Sequence, residues 1–349
     1  MTERSLRDRL LADTPDEPEN LPHDQKRTIQ RIFDPAEVHK AIADEKNDNR
    51  LKILFSLRRQ AEYRRLACFP EDLLNKLKIL EKQFGNFNEV IAMCRNAFIL
   101  GALEPPNIIN LPPMLLVGPP GIGKTRFLSE LAMTLGTTFY DLDFSSLTSG
   151  FIISGGSSSW NDSKPGFISN SLLKSKYANP IILLDEIDKA QTGSNYDPLG
   201  PMYGLLEKHT AKRFTDEFLN IQMDASAIIW VASANYPEQI PEPIRSRMIE
   251  IFIHMPTPEQ SYEIVKAIYR ELLNTRAWGK HFSVDLDSKI IVQLASLPAR
   301  RVRIALEKAL AMAALRSRGK MRPIIVTPQD ISLQSIQQNK VIKMGFLAN

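Results

Sequence analysis

Hydrophobic positions in this chain fall into two kinds of run, and the two kinds alternate. Short continuous apolar stretches occur at residues 114–117 (MLLV) and 181–184 (IILL), residues 225–232 and 249–253 are further strand candidates, and a β-rich stretch lies at residues 137–142. Continuous apolarity over four to eight residues suits strands buried on both faces. Between them lie segments with helical spacing, among them residues 126–135. Strands alternating with helices predict an α/β fold, a parallel sheet covered by helices on both faces. Upstream, residues 51–84 repeat apolar positions at helical intervals (Leu73, Leu74, Leu77, Leu80). Residues 87–102 do the same before Pro105, Pro106, Pro112 and Pro113 close the segment. After Pro256 the pattern is mostly helical, over residues 258–273, 286–297 and 300–317. Ile324, Ile325 and Val326 then suggest a short strand, and Thr327-Pro328 suggests a capped start to a last helix.

This pattern predicts four parts: a charged, partly flexible arm (1–50), a helical segment (51–105), a large α/β domain (106–255) and an α-helical lid domain (256–349). The arm contains Pro15, Pro18, Pro22 and Pro35 and has the features of either a solvated tail or a docking segment, with short helices expected around Leu6, Leu10 and Leu11 and around Val38 and Ile42.

Composition narrows the class. The 349 residues hold 44 Lys and Arg against 40 Asp and Glu, for a formal net charge of +4, too small to argue for nucleic acid on its own. Cys68 and Cys94 are far apart and lack metal-ligand spacing, so neither a disulfide framework nor a zinc site is expected. No apolar run approaches the roughly 20 residues of a membrane helix, and residues 1–19 lack the apolar core of a signal peptide. The expectation is a cytoplasmic protein without a membrane partner. A basic cluster at Arg58, Arg59, Arg64 and Arg65 reads either as a solvated helix face or as a polyanion site.

The chemistry centres on Gly118-Pro119-Pro120-Gly121-Ile122-Gly123-Lys124-Thr125, set between an apolar strand and a helix. This is the context a phosphate-binding loop requires. Glycines let main-chain N–H groups turn inward towards phosphate oxygens, and the following helix, beginning near Arg126, adds its positive end. Lys124 is assigned to the outer phosphates and Thr125 to a magnesium ion. Asp185-Glu186 ends the apolar run 181–184, where ligands of open α/β sheets sit. Asp185 is assigned to Mg2+, and Glu186 to polarising the attacking water. Asn235, after the next apolar run, is placed to hydrogen-bond that water or the γ-phosphate. Arg247, in Pro243-Ile244-Arg245-Ser246-Arg247-Met248, reads as an arginine that stabilises transferred charge from a neighbouring subunit, with a surface ion pair as the competing reading for it and for Arg245. Of Arg300, Arg301 and Arg303, Arg300 is assigned to nucleotide.

The order GPPGIGKT, IILLDEIDK, ASAN, PEPIRSRM, PARRVR resembles the AAA+ ATPases, and over about residues 75–340 it is similar to the ATPase part of the Lon proteases. Pro298 replaces the Gly of the Gly-x-Arg of sensor 2. The resemblance implies a parallel five-stranded sheet, a helical lid and a homo-oligomeric ring, usually a hexamer, with ATP and Mg2+ between subunits. It also implies a substrate-gripping pore loop. Trp160, followed by Asn161, stands six positions before Gly166, as the aromatic residue does in Lon. The alternative for Trp160 is that it packs under the loop. Lon carries a peptidase after its lid, and the expectation here is that residues 341–349 leave no room for one.

These readings converge on an Mg-dependent ATPase that remodels or unfolds protein substrates, alone or for a separate peptidase. Two alternatives stay open. One is a nucleic-acid-directed ATPase, a loader or a transposition or defence regulator, given the basic cluster and the tail Arg316, Arg318, Lys320 and Arg322. The other is a nucleotide-gated scaffold that recruits a partner.

Overall fold

The computed structural model describes residues 27–157, 163–190, 197–317 and 323–331. The chain divides into two units. The first comprises residues up to Leu77, Glu89–Gly118 and Lys124–Ile253. The second comprises Lys78–Asn88, the loop tip Pro119–Gly123, and the chain from His254 onward.

The first unit is built on a five-stranded parallel sheet. Its strands are β3 (Met114–Val117), β4 (Phe139–Asp143), β5 (Ile181–Asp185), β8 (Ile229–Ala234) and β9 (Ile249–Phe252), in the spatial order β4-β5-β8-β3-β9. Every pairing in it is parallel. Consecutive residues of β3, the first four of β5, and all of β8 are buried, so both sheet faces are covered. The expected α/β sheet with a following helical domain is therefore what the chain forms. The register sets Val117 beside Ala234 and Leu184 beside Ala232. Because β8 lies between β5 and β3, whatever follows β8 lies between whatever follows the other two.

Two small antiparallel sheets were not anticipated. β1 (Ile29–Arg31) pairs with β2 (Tyr63–Arg65), and β6 (Phe214–Asp216) pairs with β7 (Ile221–Met223). Each strand has three residues, too few to establish a periodicity of two. Residues 1–26 of the arm expected over 1–50 lie outside the described residues; beyond them, β1 leads into the short helix expected around Val38 and Ile42. Ile32, Phe33, Val38 and Ile42 belong to the main core, and the helix Pro35–Asp44 is capped by Asp34, whose side chain accepts the Ala36 N–H. Lys40 and Asp44 of that helix, and Asp48 and Lys52 of the next, Asp48–Arg58, are exposed.

The basic cluster divides, with Arg59 and Arg65 exposed and Arg58 and Arg64 drawn into the structure. Arg58 is buried. Arg64 donates to Ser175 O at 3.2 Å, to Leu173 O at 3.0 Å and to Ala61 O at 2.5 Å, so its guanidinium caps the carbonyl end of the helix Phe167–Lys174. Burial pushes its pKa down.

The second unit has its own core. Val265, Ile268, Tyr269 and Leu272 of the helix Pro258–Thr275 pack with Ile290 and Leu294 of Ser288–Leu294 and with Val302, Leu306 and Leu310 of Ala299–Ser317. Thr257 and Gln260 form a reciprocal capping box at the start of the first of these helices. Arg303 pairs with Glu271 across two of them, so it serves packing within this unit. The short strand suggested at 324–326 is a single bridge, Ile324 to Phe282. The capped turn at Thr327 is present as a 3-10 turn, Pro328–Asp330. Among the described residues no helix is long and apolar enough to cross a membrane.

Candidate nucleotide site

The site forms where three parallel strands end. Gly118 follows β3 and donates its N–H to Ala234 O at 3.0 Å, at the end of β8. A Cβ at Gly118 would lie 2.6 Å from Ile253 O, so only glycine lets the chain leave the sheet here. Gly121 and Gly123 have φ of 76° and 101°, a region where side chains are strained. The loop then enters the helix Lys124–Leu135, whose first N–H groups lack partners within the helix and carry its positive end.

Lys124 is nearly buried, and its ammonium donates to Gly118 O at 2.6 Å, Ala234 O at 3.3 Å and Asn235 Oδ1 at 3.0 Å. Burial pushes its pKa down, opposed by the carboxylates of Asp185, Asp188 and Glu186. Thr125 Oγ1 donates to Asp185 Oδ2 at 2.9 Å. A hydroxyl and a carboxylate oxygen held together are hard donors suited to Mg2+, which is commonly held by one or two carboxylates plus substrate phosphates. The residues present therefore fit that ion.

Glu186 follows Asp185 with φ 54°, left-handed for a non-glycine residue. Its backbone N–H is held by Ser233 Oγ at 3.1 Å, and its carboxylate is paired with Lys189 at 2.6 Å. Ser233 also donates to Asp185 Oδ1. Asp188 is buried; its Oδ2 accepts the N–H groups of Asn235 and Tyr236, each at 3.0 Å, while its Oδ1 has no hydrogen-bond partner. Asp188 thus fixes the backbone turn that carries Asn235.

Of the residues singled out in the sequence, the structure brings together Gly118, Lys124, Thr125, Asp185, Glu186 and Asn235. It adds Ser233 and Asp188, which reading by motif passed over because neither faces the solvent and the signal for each is only a polar residue beside a buried run. Arg126 is half-buried on the helix that opens the site. Arg247 is held by Glu207 at 2.6 Å and donates to Pro243 O, and Arg245 is held by Glu250 at 2.7 Å, so in the isolated chain both are in ion pairs. Arg300 is exposed at the start of the helix Ala299–Ser317. Trp160 and Asn161 lie outside the described residues. Within the second unit, the tip residues Pro120, Gly121 and Ile122 line a cavity of about 440 Å3 with Tyr262, Val265 and Pro298. Its walls are largely apolar.

Comparison with known proteins agrees with this geometry. Residues 114–256 match the family model "ATPase family associated with various cellular activities (AAA)". The chain is 29% identical over 234 residues to Lon protease homolog 2, peroxisomal, of Oryza sativa subsp. indica, a match covering 67% of this chain and 25% of the relative. It is 31% identical over 223 residues to Lon protease of Aster yellows witches'-broom phytoplasma, covering 61% of this chain and 28% of that protein. The match therefore spans only about a quarter of the length of these relatives. Among solved structures, a closed-state reconstruction of Hsp104 with ATPyS and FITC casein superposes with a TM-score of 0.60 at 18% identity, covering 72% of this chain and 49% of that one. At that identity the likeness concerns the fold. Residues 114–256 thus carry an AAA domain, and the ATPase-like part of the chain is similar to that of the Lon proteases.

Proposed function

We propose that the chain is an Mg-dependent ATPase that works on protein substrates as part of a ring. The observation that carries this reading is the hydrogen-bonded set Lys124–Asn235 and Thr125–Asp185, which draws the ends of β3, β5 and β8 to one point. In this reading Lys124 exchanges its carbonyl partners for β- and γ-phosphate oxygens. Thr125 and Asp185 would hold a magnesium ion, which when bound supplies positive charge across the phosphates. Asn235 hydrogen-bonds the γ-phosphate or the attacking water. Glu186, released from Lys189, takes a proton as the water oxygen bonds to the γ-phosphorus. The bond from that phosphorus to the ADP oxygen breaks, and inorganic phosphate leaves. Arg247 would reach the site of a neighbouring copy, and Arg300 the nucleotide of its own.

Similarity to Lon proteases, and a fold shared with an Hsp104 bound to casein, support a protein rather than a nucleic acid as the object of the work. So does the commitment of Arg64 to carbonyls and of Arg316 to Asp330. A cytoplasmic location is part of this proposal on composition alone, from two cysteines too far apart in sequence to suggest a disulfide framework.

The test is turnover of ATP with and without Mg2+, an unfolded protein, or DNA. Glu186→Gln should bind ATP normally and lose turnover by about 100-fold or more. Near-normal turnover in that variant would remove Glu186 as the base. Stimulation by DNA that fades with added salt would replace the protein-directed reading.

A further inference from the structure

The Arg247–Glu207 pair joins two turns that are distant in the chain. Arg247 follows the helix Glu242–Arg245, and its backbone N–H donates to Ile244 O at 3.2 Å. Ile244 before it and Met248 after it are buried in the main core. Glu207 follows the helix Met202–Leu205 and opens the helix Lys208–Ala211. Its carbonyl accepts the N–H groups of Thr210 at 3.1 Å and Ala211 at 2.9 Å, and Leu205 and Leu206 just before it belong to the same core. The helices Met202–Leu205 and Glu242–Arg245 pack on each other. Both side chains of the pair therefore leave backbone that the close-packed core already holds in place.

The guanidinium of Arg247 is held at both tips of its fork. Nη1 donates to Pro243 O, within the turn that carries it, and Nη2 lies 2.6 Å from Glu207 Oε1. Two fixed points on a planar group set its plane. Nε is buried and has no hydrogen-bond partner. An unmade bond of this kind is costly, so the two contacts at the tips maintain the pose, and the needs of the arginine itself do not. Nη1 and Nη2 each carry a second N–H, and the side chain is 29% exposed. These are the donors left for a phosphate. Arg245 is held differently: its Nε donates to Glu250 Oε1 at 2.7 Å, on β9, so its pairing stays within one short stretch of chain.

We propose that Glu207 is a positioning residue that fixes the plane of the Arg247 guanidinium, so that its remaining N–H groups are presented to the nucleotide of a neighbouring copy. This role rests on the reading of Arg247 given above and deepens it. An unheld arginine samples many rotamers, of which few suit a phosphate oxygen, and holding it in one of them removes that loss from the reaction. A pair that withheld Arg247 from the neighbour would have to be strong. Glu207 is 49% exposed, and a pair so open to water is screened. It biases the direction of the arginine, but a phosphate group with more than one negative charge outcompetes a single carboxylate for the guanidinium.

The experiment measures ATP turnover of the full chain at saturating Mg2+, with Glu207→Ala, Glu207→Gln, Arg247→Ala, and Glu207→Ala combined with Arg247→Ala. Arg247→Ala should lose about 1,000-fold. Glu207→Ala should lower kcat by about tenfold with KM for ATP within about twofold, and Glu207→Gln, which keeps an acceptor, should lose only about threefold. The combined variant should be no slower than Arg247→Ala alone. Mixing Glu207→Ala with Glu186→Gln, whose copies keep the arginine but lack the base, should give more turnover than the sum of the two alone, because Glu207 acts at the site of the next copy. Glu207→Ala faster than wild type would make the pair a restraint and overturn the proposal. A further loss in the combined variant, or a raised KM with equal losses in Glu207→Ala and Glu207→Gln, would overturn it as a general disturbance of the fold. No gain on mixing would place the effect in the same copy and overturn it too. Wild-type turnover in Arg247→Ala removes the reading of Arg247 itself, and the proposal with it. Wild-type turnover in Glu207→Ala beside an inactive Arg247→Ala overturns the positioning alone.

Discussion

Ser233 donates its hydroxyl hydrogen to Asp185 Oδ1, and Ser233 Oγ in turn accepts the backbone N–H of Glu186 at 3.1 Å. One buried hydroxyl on β8 therefore sets both the carboxylate proposed to hold Mg2+ and the backbone from which the proposed base projects. It also helps hold Glu186 at its positive φ, which costs about 1 kcal/mol or more in a non-glycine residue. Ser233→Ala should release both. We expect turnover to fall about tenfold and the Mg2+ concentration for half-maximal rate to rise, with ATP affinity changed by no more than about threefold. Ser233→Thr, which keeps the hydroxyl, should restore part of the rate. An equal loss in ATP affinity and turnover would mean that the substitution had simply disturbed β8.

The Glu186–Lys189 ion pair leads to a second expectation. Both side chains are partly exposed, at 34% and 45%, so solvent screens the pair and it holds its geometry only weakly. The carboxylate raises the pKa of Lys189 through this hydrogen bond. Lys189→Ala should therefore free Glu186 at little cost and raise basal ATP turnover by up to about threefold. A fall in turnover, measured at saturating ATP and Mg2+, would show that Lys189 takes part in hydrolysis.

The parts of this site that stand out in the sequence are those whose chemistry and local structure coincide. Gly118 to Thr125 sit on a strand–loop–helix turn, and Asp185 and Glu186 end an unbroken apolar run, so each is visible within about ten residues. Ser233 and Asp188 act across chain separations of 47 or 48 residues, through a sheet order that places β8 between β5 and β3. Nothing local announces that. Glu207 is a harder case, because an acidic residue at the start of a four-residue helix reads as surface. Val38 and Ile42, two apolar positions among charged neighbours, are enough to suggest a short helix, but not that this helix joins the main core. The role assigned to Arg247 belongs to a contact with another copy, which one chain does not contain.

Asn179 gives a test of stability away from the site. It is 1% exposed, and its side chain accepts the Ala67 N–H at 2.7 Å while donating to Ala67 O and Ile109 O, each at 3.0 Å. These bonds hold the segment after β2 and the segment before β3 against the entrance to β5. Asn179→Ala leaves one buried donor and two acceptors without that partner, which should cost about 2–4 kcal/mol. Urea unfolding followed by tryptophan fluorescence, with Trp230 in the core, measures it. A midpoint unchanged from wild type would mean that water replaces the amide.

In the second unit, Asp330 ties the end of the helix Ala299–Ser317 to the turn that follows. Its Oδ2 accepts the Thr327 N–H at 2.8 Å, the Thr327 hydroxyl at 2.9 Å and the Arg316 guanidinium at 2.8 Å, and its Oδ1 accepts Arg316 Nε at 3.1 Å. Burial pushes the carboxyl up, but Arg316 and Thr327 together outweigh it and leave the group below the ordinary carboxylate range. A folded-state pKa below the unfolded value, about 3.9, means that the stabilisation is fully present above that pH. It is lost as pH falls through the folded value, because the unfolded chain then binds the proton more readily. Arg316 is 42% exposed, so solvent screening keeps the effect small. Asp330→Asn should therefore unfold more easily than wild type at pH 7, and the gap should close as the pH is lowered below about 3.9. Thermal unfolding followed by circular dichroism from pH 7 down to the acid limit of the fold reads that gap. A gap of constant size over the whole range would show that the carboxylate contributes shape alone, with its charge playing no part.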